Sequence, residues 1–471
     1  MLSLAQNYLT RGFWGDEAWT SLISQLPYKD MLKTTAADFH PPAYYSIIEL
    51  VYKFLPPTEI VTRSVSIIFY LLTLFLVWKL ASEIKGKLFG VVSTLVVALN
   101  PIFFTYAFEA RNYTMFAFAA VGSVYCLIKL SVLSCQLSEK SQSVSQLTGQ
   151  PRTEKPESDN RKQKTDNWKF WAAGFVFFST LGIYTHYYMF FTLAAQGLYL
   201  LLFDRKIFIK MMGLYSVVGF LYLPWVPFLY HQLTSVKESY WIGQIDKRTH
   251  YEALLRILGG EHKNAFRPFL FGLSVALLTI GIVQHALRQK FEKPYLLIWL
   301  WAVVPFTLAS LPGLKIEGFQ IPFRPIFFWR YLINASVPLT MVSVHAAQRF
   351  PKYVFITSCT LIIFLSAAIN FLTFFKYPYG FKQVYDEKVL DRIKAGDTIV
   401  TVLPSFAEVM YYRMRNNLKN DLVVLPEGLV QFSGKSLLDA YVASGAVTIK
   451  ESVNGAFFYM TPGPNVKFLS D

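Results

Sequence analysis

Long apolar runs, each closed by a short polar or basic connection, recur along most of the chain. A helix rising about 1.5 Å per residue needs about 20 such residues to cross about 30 Å of hydrocarbon. Runs near that length occupy residues 61-81, 88-107, 112-132, 169-185, 188-203, 209-229, 268-287, 294-311, 331-347 and 353-375. The pattern predicts a mostly α fold, a polytopic transmembrane helical bundle of about ten spans. After Lys376 the period shortens: residues 397-402, 422-425 and 456-460 read as strands, and 406-415 and 437-443 as amphipathic helices. This predicts a small C-terminal α/β domain over 376-471, following a transmembrane domain over 1-375.

Alternate connections are basic. Lys79, Lys85 and Lys87 close the first span, and the stretch 135-168, Asp204-Arg205-Lys206, Arg288 to Lys293 and Arg349 to Lys352 follow at every second turn. An excess of Lys and Arg marks cytoplasmic loops, although the opposite connection 230-267 also carries Lys237, Lys247, Arg248, Arg256, Lys263 and Arg267. An even number of crossings then puts residues 1-60 and 376-471 together on the extracytoplasmic face, with loop 10-60 as the candidate catalytic loop. Residues 138-167 are rich in Ser, Gln, Lys, Glu and Pro, too polar to offset the entropy of ordering, so 135-168 is expected to be a disordered cytoplasmic loop. A tolerated insertion and a docking or phosphorylation segment both fit it. No transmembrane run or secretory signal precedes Trp14.

Composition agrees. The chain is 54% hydrophobic, 17% aromatic and only 16% charged, against roughly 25% charged in soluble proteins. A net charge of +15 would suggest nucleic acid in a soluble protein. Here the cations flank apolar runs and read as topology signals and contacts to anionic membrane lipids, with no nucleic-acid partner. Cys126, Cys135 and Cys359 have neither metal-site spacing nor a pairing pattern.

Five clusters of ionisable residues fall on the extracytoplasmic side. Trp14-Gly15-Asp16-Glu17-Ala18-Trp19 sets two acids among aromatics, where desolvation can make a carboxylate a general base; a helix cap or solvated acid pair is the alternative. Phe39-His40-Pro41-Pro42-Ala43-Tyr44-Tyr45 opens a helix with an apolar face suited to the membrane interface. His40 there could bind phosphate, orient a carboxylate or be structural. Phe108-Glu109-Ala110-Arg111-Asn112-Tyr113 joins two spans. Charges at membrane depth need a partner or a cavity, so Glu109 and Arg111 are either a structural pair or a ligand site, with Arg111 able to clamp phosphate. Tyr184-Thr185-His186-Tyr187-Tyr188 and Phe328-Trp329-Arg330-Tyr331 complete the set. An interfacial aromatic belt accounts for the rings but not for the interleaved Asp, Glu, His and Arg. Lys315, Glu317, Arg324 and Arg330 add a basic loop over 312-330 that suits an anionic head group or simply solvent. The sequons at Asn112 and Asn334 lie in or against spans and read as chance.

The order W-G-D-E-A-W, H-P-P-x-Y-Y, E-A-R-x-Y and R-Y at the head of a late span resembles the GT-C superfamily of membrane glycosyltransferases over roughly residues 10-350. The closest likeness is to the bacterial branch similar to protein mannosyltransferases and aminoarabinose transferases. The resemblance implies an enzyme of the plasma (inner) membrane that transfers mannose or another hexose or pentose from a polyprenyl-phosphate donor. The acceptor would be an extracytoplasmic lipid, polysaccharide or protein, and the displacement inverting. It implies Asp16 as general base with Glu17 as its catalytic support. His40, Arg111 and Arg330 become donor-phosphate candidates, and Tyr44, Glu109, Tyr113, His186 and Tyr331 line the substrate site. No cofactor is required, although a divalent metal at the acid pair is compatible with the family. A lipid-linked-sugar flippase or transporter and a non-enzymatic membrane scaffold are the alternatives. The family carries a transmembrane helix before its W-x-D-E motif, and here about a dozen residues precede it, so either translation starts upstream or that helix is absent.

Overall fold

A computed structural model of the chain describes residues 6-145, 156-238, 242-246, 248-287, 293-312, 315-316, 319-320, 325-427, 434-453, 457-461 and 463-468. Three short helices come first: α1 (Gly15–Ile23), α2 (Tyr28–Ala37) and α3 (Ala43–Tyr52). The helical bundle follows with α4 (Glu59–Lys85), α5 (Lys87–Leu99), α6 (Pro101–Ala107), α7 (Tyr113–Ser145), α8 (Pro156–Thr185), α9 (Met189–Phe203), α10 (Arg205–Tyr222) and α11 (Val226–Glu238). It continues with α12 (Thr249–Gly259), α13 (Arg267–Leu287), α14 (Lys293–Ser310), a hairpin of β1 (Lys315–Ile316) and β2 (Phe319–Gln320), a 3-10 segment Trp329–Ala335, α15 (Ser336–Gln348) and α16 (Lys352–Phe374).

Every predicted span is helical. Among the described residues six helices are long and apolar enough to cross a bilayer by themselves, and α5 with α6 makes a seventh, bent by 67°. The sequence pattern has no sign of that bend in 88-107. Pro101 cannot donate to the helix ladder, and Asn100 caps the new helix by accepting from the Phe103 N–H at 3.2 Å. The Leu99 carbonyl released at the break accepts from Asn370 Nδ2 at 2.9 Å, so the broken backbone stays paired inside protein, as hydrocarbon demands. The stretch 135-168 also departs from expectation: α7 runs on to Ser145 and α8 starts at Pro156, with 146-155 outside the described residues. Extending a helix already nucleated by an apolar span avoids the nucleation cost that an isolated polar segment would face.

The amphipathic reading of α3 is visible in its exposure. Ile48 is buried, whereas Leu50 and the following Phe54 and Leu55 are exposed, a face fitted to the membrane interface.

The C-terminal part folds as α17 (Phe381–Val384), β3 (Thr398–Val402), α18 (Leu403–Arg415), β4 (Leu422–Leu425), α19 (Lys435–Ala443), β5 (Thr448–Ile449), β6 (Phe457–Met460) and β7 (Val466–Phe468). The sheet order is β5-β4-β3-β6-β7, parallel except for β6 with β7. The near-continuous apolar run of the central strand β3 follows from burial on both faces. One apolar cluster joins this sheet and its helices to α1, α2 and α3, including Trp19, Leu22, Tyr44, Phe406, Met410 and Leu437. A separate cluster fills the helical bundle.

The sheet domain is fastened to the N-terminal loop by specific bonds. Tyr412 Oη accepts from the Phe13 N–H at 2.8 Å and donates to Glu59 at 3.1 Å, and Arg415 pairs with the same Glu59. Tyr411 donates to the Pro57 carbonyl at 2.9 Å. A Cβ on Gly12 would meet Lys382 Cβ at 2.9 Å and the Tyr412 hydroxyl at 3.0 Å, so the absent side chain permits this approach. Gly12→Ala is expected to push the N-terminal loop and the sheet domain apart at this contact, at a cost of about 1–3 kcal/mol. The check is a lower thermal midpoint in detergent and faster protease cleavage near 376-380; unchanged behaviour would show that the contact yields freely.

Candidate active site

Asp16 and Glu17 are consecutive in the first turn of α1, and about 100° of helical rotation sends them to different surroundings. Glu17 is wholly buried, whereas the Asp16 side chain is 43% exposed. Four donors converge on Glu17. Arg63 reaches it as a fork, Nε to Oε1 at 2.9 Å and Nη2 to Oε2 at 2.7 Å. Arg11 Nη1 meets Oε2 at 2.9 Å, and the Ala110 N–H meets Oε1 at 2.9 Å. Burial by itself would raise the Glu17 pKa, but Arg11 and Arg63 outweigh it and hold the carboxyl below its ordinary value.

Arg63 also collects the backbone of the N-terminal loop, donating through Nη1 to the Leu9 and Arg11 carbonyls at 2.7 Å each. Glu17 therefore ties α1, α4, the loop before α1 and the loop before α7 into one buried knot. Both of its oxygens are taken, an arrangement that fits the supporting or orienting place beside Asp16 that the resemblance implies.

Asp16 Oδ2 lies 3.7 Å from Arg111 Nη2 and 3.8 Å from Arg330 Nη1. Arg111 Nη2 stands 3.3 Å from His40 Nε2, and His40 Nδ1 stands 3.6 Å from Asp38 Oδ2. A guanidinium N–H pointed at Nε2 calls for the tautomer protonated on Nδ1, which Asp38 favours. Arg330 Cζ rests about over the Trp14 ring, 5.0 Å from its centroid, and its Nη2 is 3.7 Å from Glu261 Oε1. Residues from α1, the α2–α3 loop, the α6–α7 loop, the α12–α13 loop and the segment before α15 thus meet around one half-exposed carboxylate.

The remaining sequence candidates stand behind this group. Tyr44 is fully buried and bonds Ser66 Oγ at 2.6 Å, which donates to the Arg111 carbonyl at 3.1 Å; it props the loop and has no open face for substrate. Glu109 is likewise enclosed, accepting from Tyr8 at 2.7 Å beside Arg11 at 3.5 Å, and burial pushes its pKa up to about 7. Tyr113 packs edge-on to Tyr106 with centroids 4.8 Å apart, under Arg111. His186 stacks on Phe116 at 4.8 Å, touches Tyr331 edge-on, and accepts the Tyr188 N–H at 3.1 Å. Its burial drives the pKa down to about 3, so it is a neutral ring and not a phosphate-binding cation. Lys315, Glu317 and Arg324 lie outside the described side chains.

Asn112 Nδ2 donates to the Thr185 carbonyl at 2.7 Å and Asn334 Nδ2 to Thr192 at 2.8 Å, both buried. These are structural roles, in keeping with sequons that occur by chance. Among the described residues no group of three or more His, Cys, Asp or Glu could hold a metal ion.

Arg11, Asp38, Arg63, Glu261 and Glu408 were not singled out from sequence. Arg63 had a signal, a cation inside a predicted span. Asp38, two residues before His40, had a weaker one. Glu261 and Glu408 sit in a polar loop and an amphipathic helix, where acids are unremarked.

A family described as dolichyl-phosphate-mannose-protein mannosyltransferase matches residues 39–132, the segment holding His40 and Arg111. The apo crystal structure of ArnT from Cupriavidus metallidurans aligns over 96% of this chain and 89% of its own, with a TM-score of 0.61 at 10% identity. The chain shares the fold of that ArnT. The same ArnT bound to undecaprenyl phosphate aligns with a TM-score of 0.58 at 10% identity, over 96% of this chain and 89% of that one. No curated protein matches by sequence. A multi-pass helical frame with a small sheet domain at its C-terminal end is the architecture expected from the hydrophobic pattern.

Removing one partner of a buried ion pair leaves the other charge uncompensated, at about 3–5 kcal/mol. Glu17→Ala is therefore expected to lower the thermal midpoint sharply or prevent accumulation, while Asp16→Asn leaves the midpoint near that of the parent protein. Equal midpoints for the two variants would remove the structural role given to Glu17.

Proposed function

We propose that the protein is a membrane glycosyltransferase that moves a sugar from a polyprenyl-phosphate donor to an acceptor hydroxyl on the extracytoplasmic face, with inversion, using Asp16 as the general base. The observation that carries the reading is Asp16 itself: a half-exposed carboxylate with two guanidinium groups at 3.7 and 3.8 Å. The description of the matching family and the undecaprenyl phosphate held by the ArnT structure support the donor class.

In this reading the acceptor oxygen attacks the anomeric carbon as the bond from that carbon to the phosphate oxygen breaks. The acceptor proton passes to Asp16, and the bonding electrons leave on the lipid phosphate. Arg111 and Arg330 meet the charge that grows on the phosphate, the kind of pre-set stabilisation that favours the transition state over the ground state. His40, between Asp38 and Arg111, holds the Arg111 fork in position. The displacement needs no cofactor beyond these side chains. Buried Glu17 supplies no second nucleophile, in keeping with a single displacement. The acceptor is a lipid, polysaccharide or protein of the cell envelope, and the membrane is the plasma (inner) membrane.

A general base contributes about 10²–10⁴-fold. Asp16→Asn is expected to lose transfer by that factor while the protein stays in the membrane and still binds donor. The measurement is mass spectrometry of products from reconstituted membranes given a panel of polyprenyl-phosphate sugars; transfer at the parent rate by this variant would reject the assignment. Arg330→Lys is expected to raise the donor KM, because an ammonium cannot reproduce the guanidinium fork. An unchanged KM would take Arg330 out of the phosphate site.

A further inference from the structure

α1 carries the proposed base, yet it lacks an N-cap of its own. The N-cap position is Trp14, in extended conformation, and no side chain near it in sequence accepts a helix N–H. The Trp14 carbonyl accepts from the Glu17 and Ala18 N–H groups, which leaves the N–H groups of Gly15 and Asp16 to be met from elsewhere. A carboxyl from the other domain stands there. Glu408, on α18, places Oε1 3.5 Å and Oε2 3.9 Å from where a Gly15 Cβ would be, so its carboxyl lies against the first residue of α1, where its own backbone N–H and that of Gly15 both favour its charged form. Its Oε2 has no hydrogen-bond partner among the described residues.

Resting on the transferase reading above, we propose that Glu408 is a positioning residue of the reaction: it caps α1 from the sheet domain and thereby holds Asp16 at the donor site, so that the site is complete only when the two domains are docked. A carboxylate at a helix N-terminus is favoured both by the free N–H groups and by the helix dipole. The sheet domain thus acts on the chemistry through the first turn of α1.

The charge of Glu408 matters as well as its oxygen. Among the elements packed against α18, α1 brings Asp16, which faces Glu408, and Glu17, which faces Arg11 and Arg63. α17 brings Lys382, bonded to the Thr10 carbonyl at 3.1 Å. α19 brings Lys435 and Asp439, paired with each other at 2.9 Å, and Tyr441, bonded to the Leu22 carbonyl at 3.3 Å. β3 and β4 bring no ionisable side chain. On α18 itself, Tyr411 and Tyr412 are bonded to Pro57 and Glu59. Burial, helped by the Asp16 charge, pushes the Glu408 pKa up to about 7. As pH rises through that value Glu408 becomes a charged and stronger acceptor for the Gly15 N–H. A firmer cap on α1 favours transfer, so the rate rises with pH. For folding the sign is opposite: a carboxyl raised above its unfolded value near 4.5 contributes stability at low pH that is lost as pH rises through about 7.

The test compares the full-length protein with Glu408→Gln and Glu408→Ala in detergent and in reconstituted membranes. Glu408→Gln keeps an acceptor oxygen and is expected to retain slow amide exchange at Gly15, while losing the rise in kcat between about pH 6 and 8 that the raised carboxyl would give. Glu408→Ala is expected to speed Gly15 exchange about tenfold and lower kcat about tenfold or more, with the donor KM within about twofold. Parent-like kcat, pH profile and Gly15 exchange in both variants would overturn the proposal. So would loss of kcat in Glu408→Ala with Gly15 exchange unchanged, since the cap would then not be the route. Gly15 exchange is read without substrate, so a parent protein that transfers no sugar would reject the transferase reading while the exchange result still decides whether Glu408 caps α1.

Discussion

The fork between Arg63 and Glu17 is the constraint on which the rest of the site depends. Two guanidinium groups and one carboxylate are withdrawn from water at the point where α1 meets the first long helix. Such a cluster is tolerable only with every polar atom of the carboxylate engaged. That condition fixes the azimuth of α1, because Glu17 must look inward. Its neighbour Asp16, about 100° further round the helix, is then held toward the opening. The same Arg63 draws the Leu9 and Arg11 carbonyls onto it, so the loop leading into α1 is set by the same interaction.

Around Asp16 the cations are arranged so that none belongs to it alone. Arg111 is shared with His40, and Arg330 with Glu261 and the Trp14 ring. Distances of 3.7 and 3.8 Å to Asp16 are those of a loose ion pair, open to exchange for a stronger anion such as a phosphate. A tight fork like the one on Glu17 would have locked the carboxylate away. Adjacent acids thus take opposite duties through the number and closeness of their donors.

The sheet domain belongs to this arrangement. Its apolar core is continuous with α1, α2 and α3, and its bonds to Phe13, Glu59 and Pro57 bracket the acid pair on both sides in sequence. The short helices at the N-terminal end lie between the two parts and are stabilised by packing on both, as expected for elements too short to be stable alone.

The sequence by itself determined the membrane class, the ten helical segments and the small sheet-bearing C-terminal end. These are set by local quantities: run length against bilayer thickness, the period of apolar positions, and alternating loop charge. The bend at Asn100 and Pro101 was not legible in the apolar run 88-107, and the carbonyl it frees finds its partner in Asn370, 271 residues away. What only the tertiary structure decided is which of two neighbouring acids is spent on structure, and that Tyr44 and Glu109 face inward as supports. It also brought Arg11, Arg63 and Glu408 to α1. Glu17 and Arg63 are 46 residues apart, and Glu408 comes from another domain. Such partners are chosen by the packing of whole helices, which no local pattern encodes.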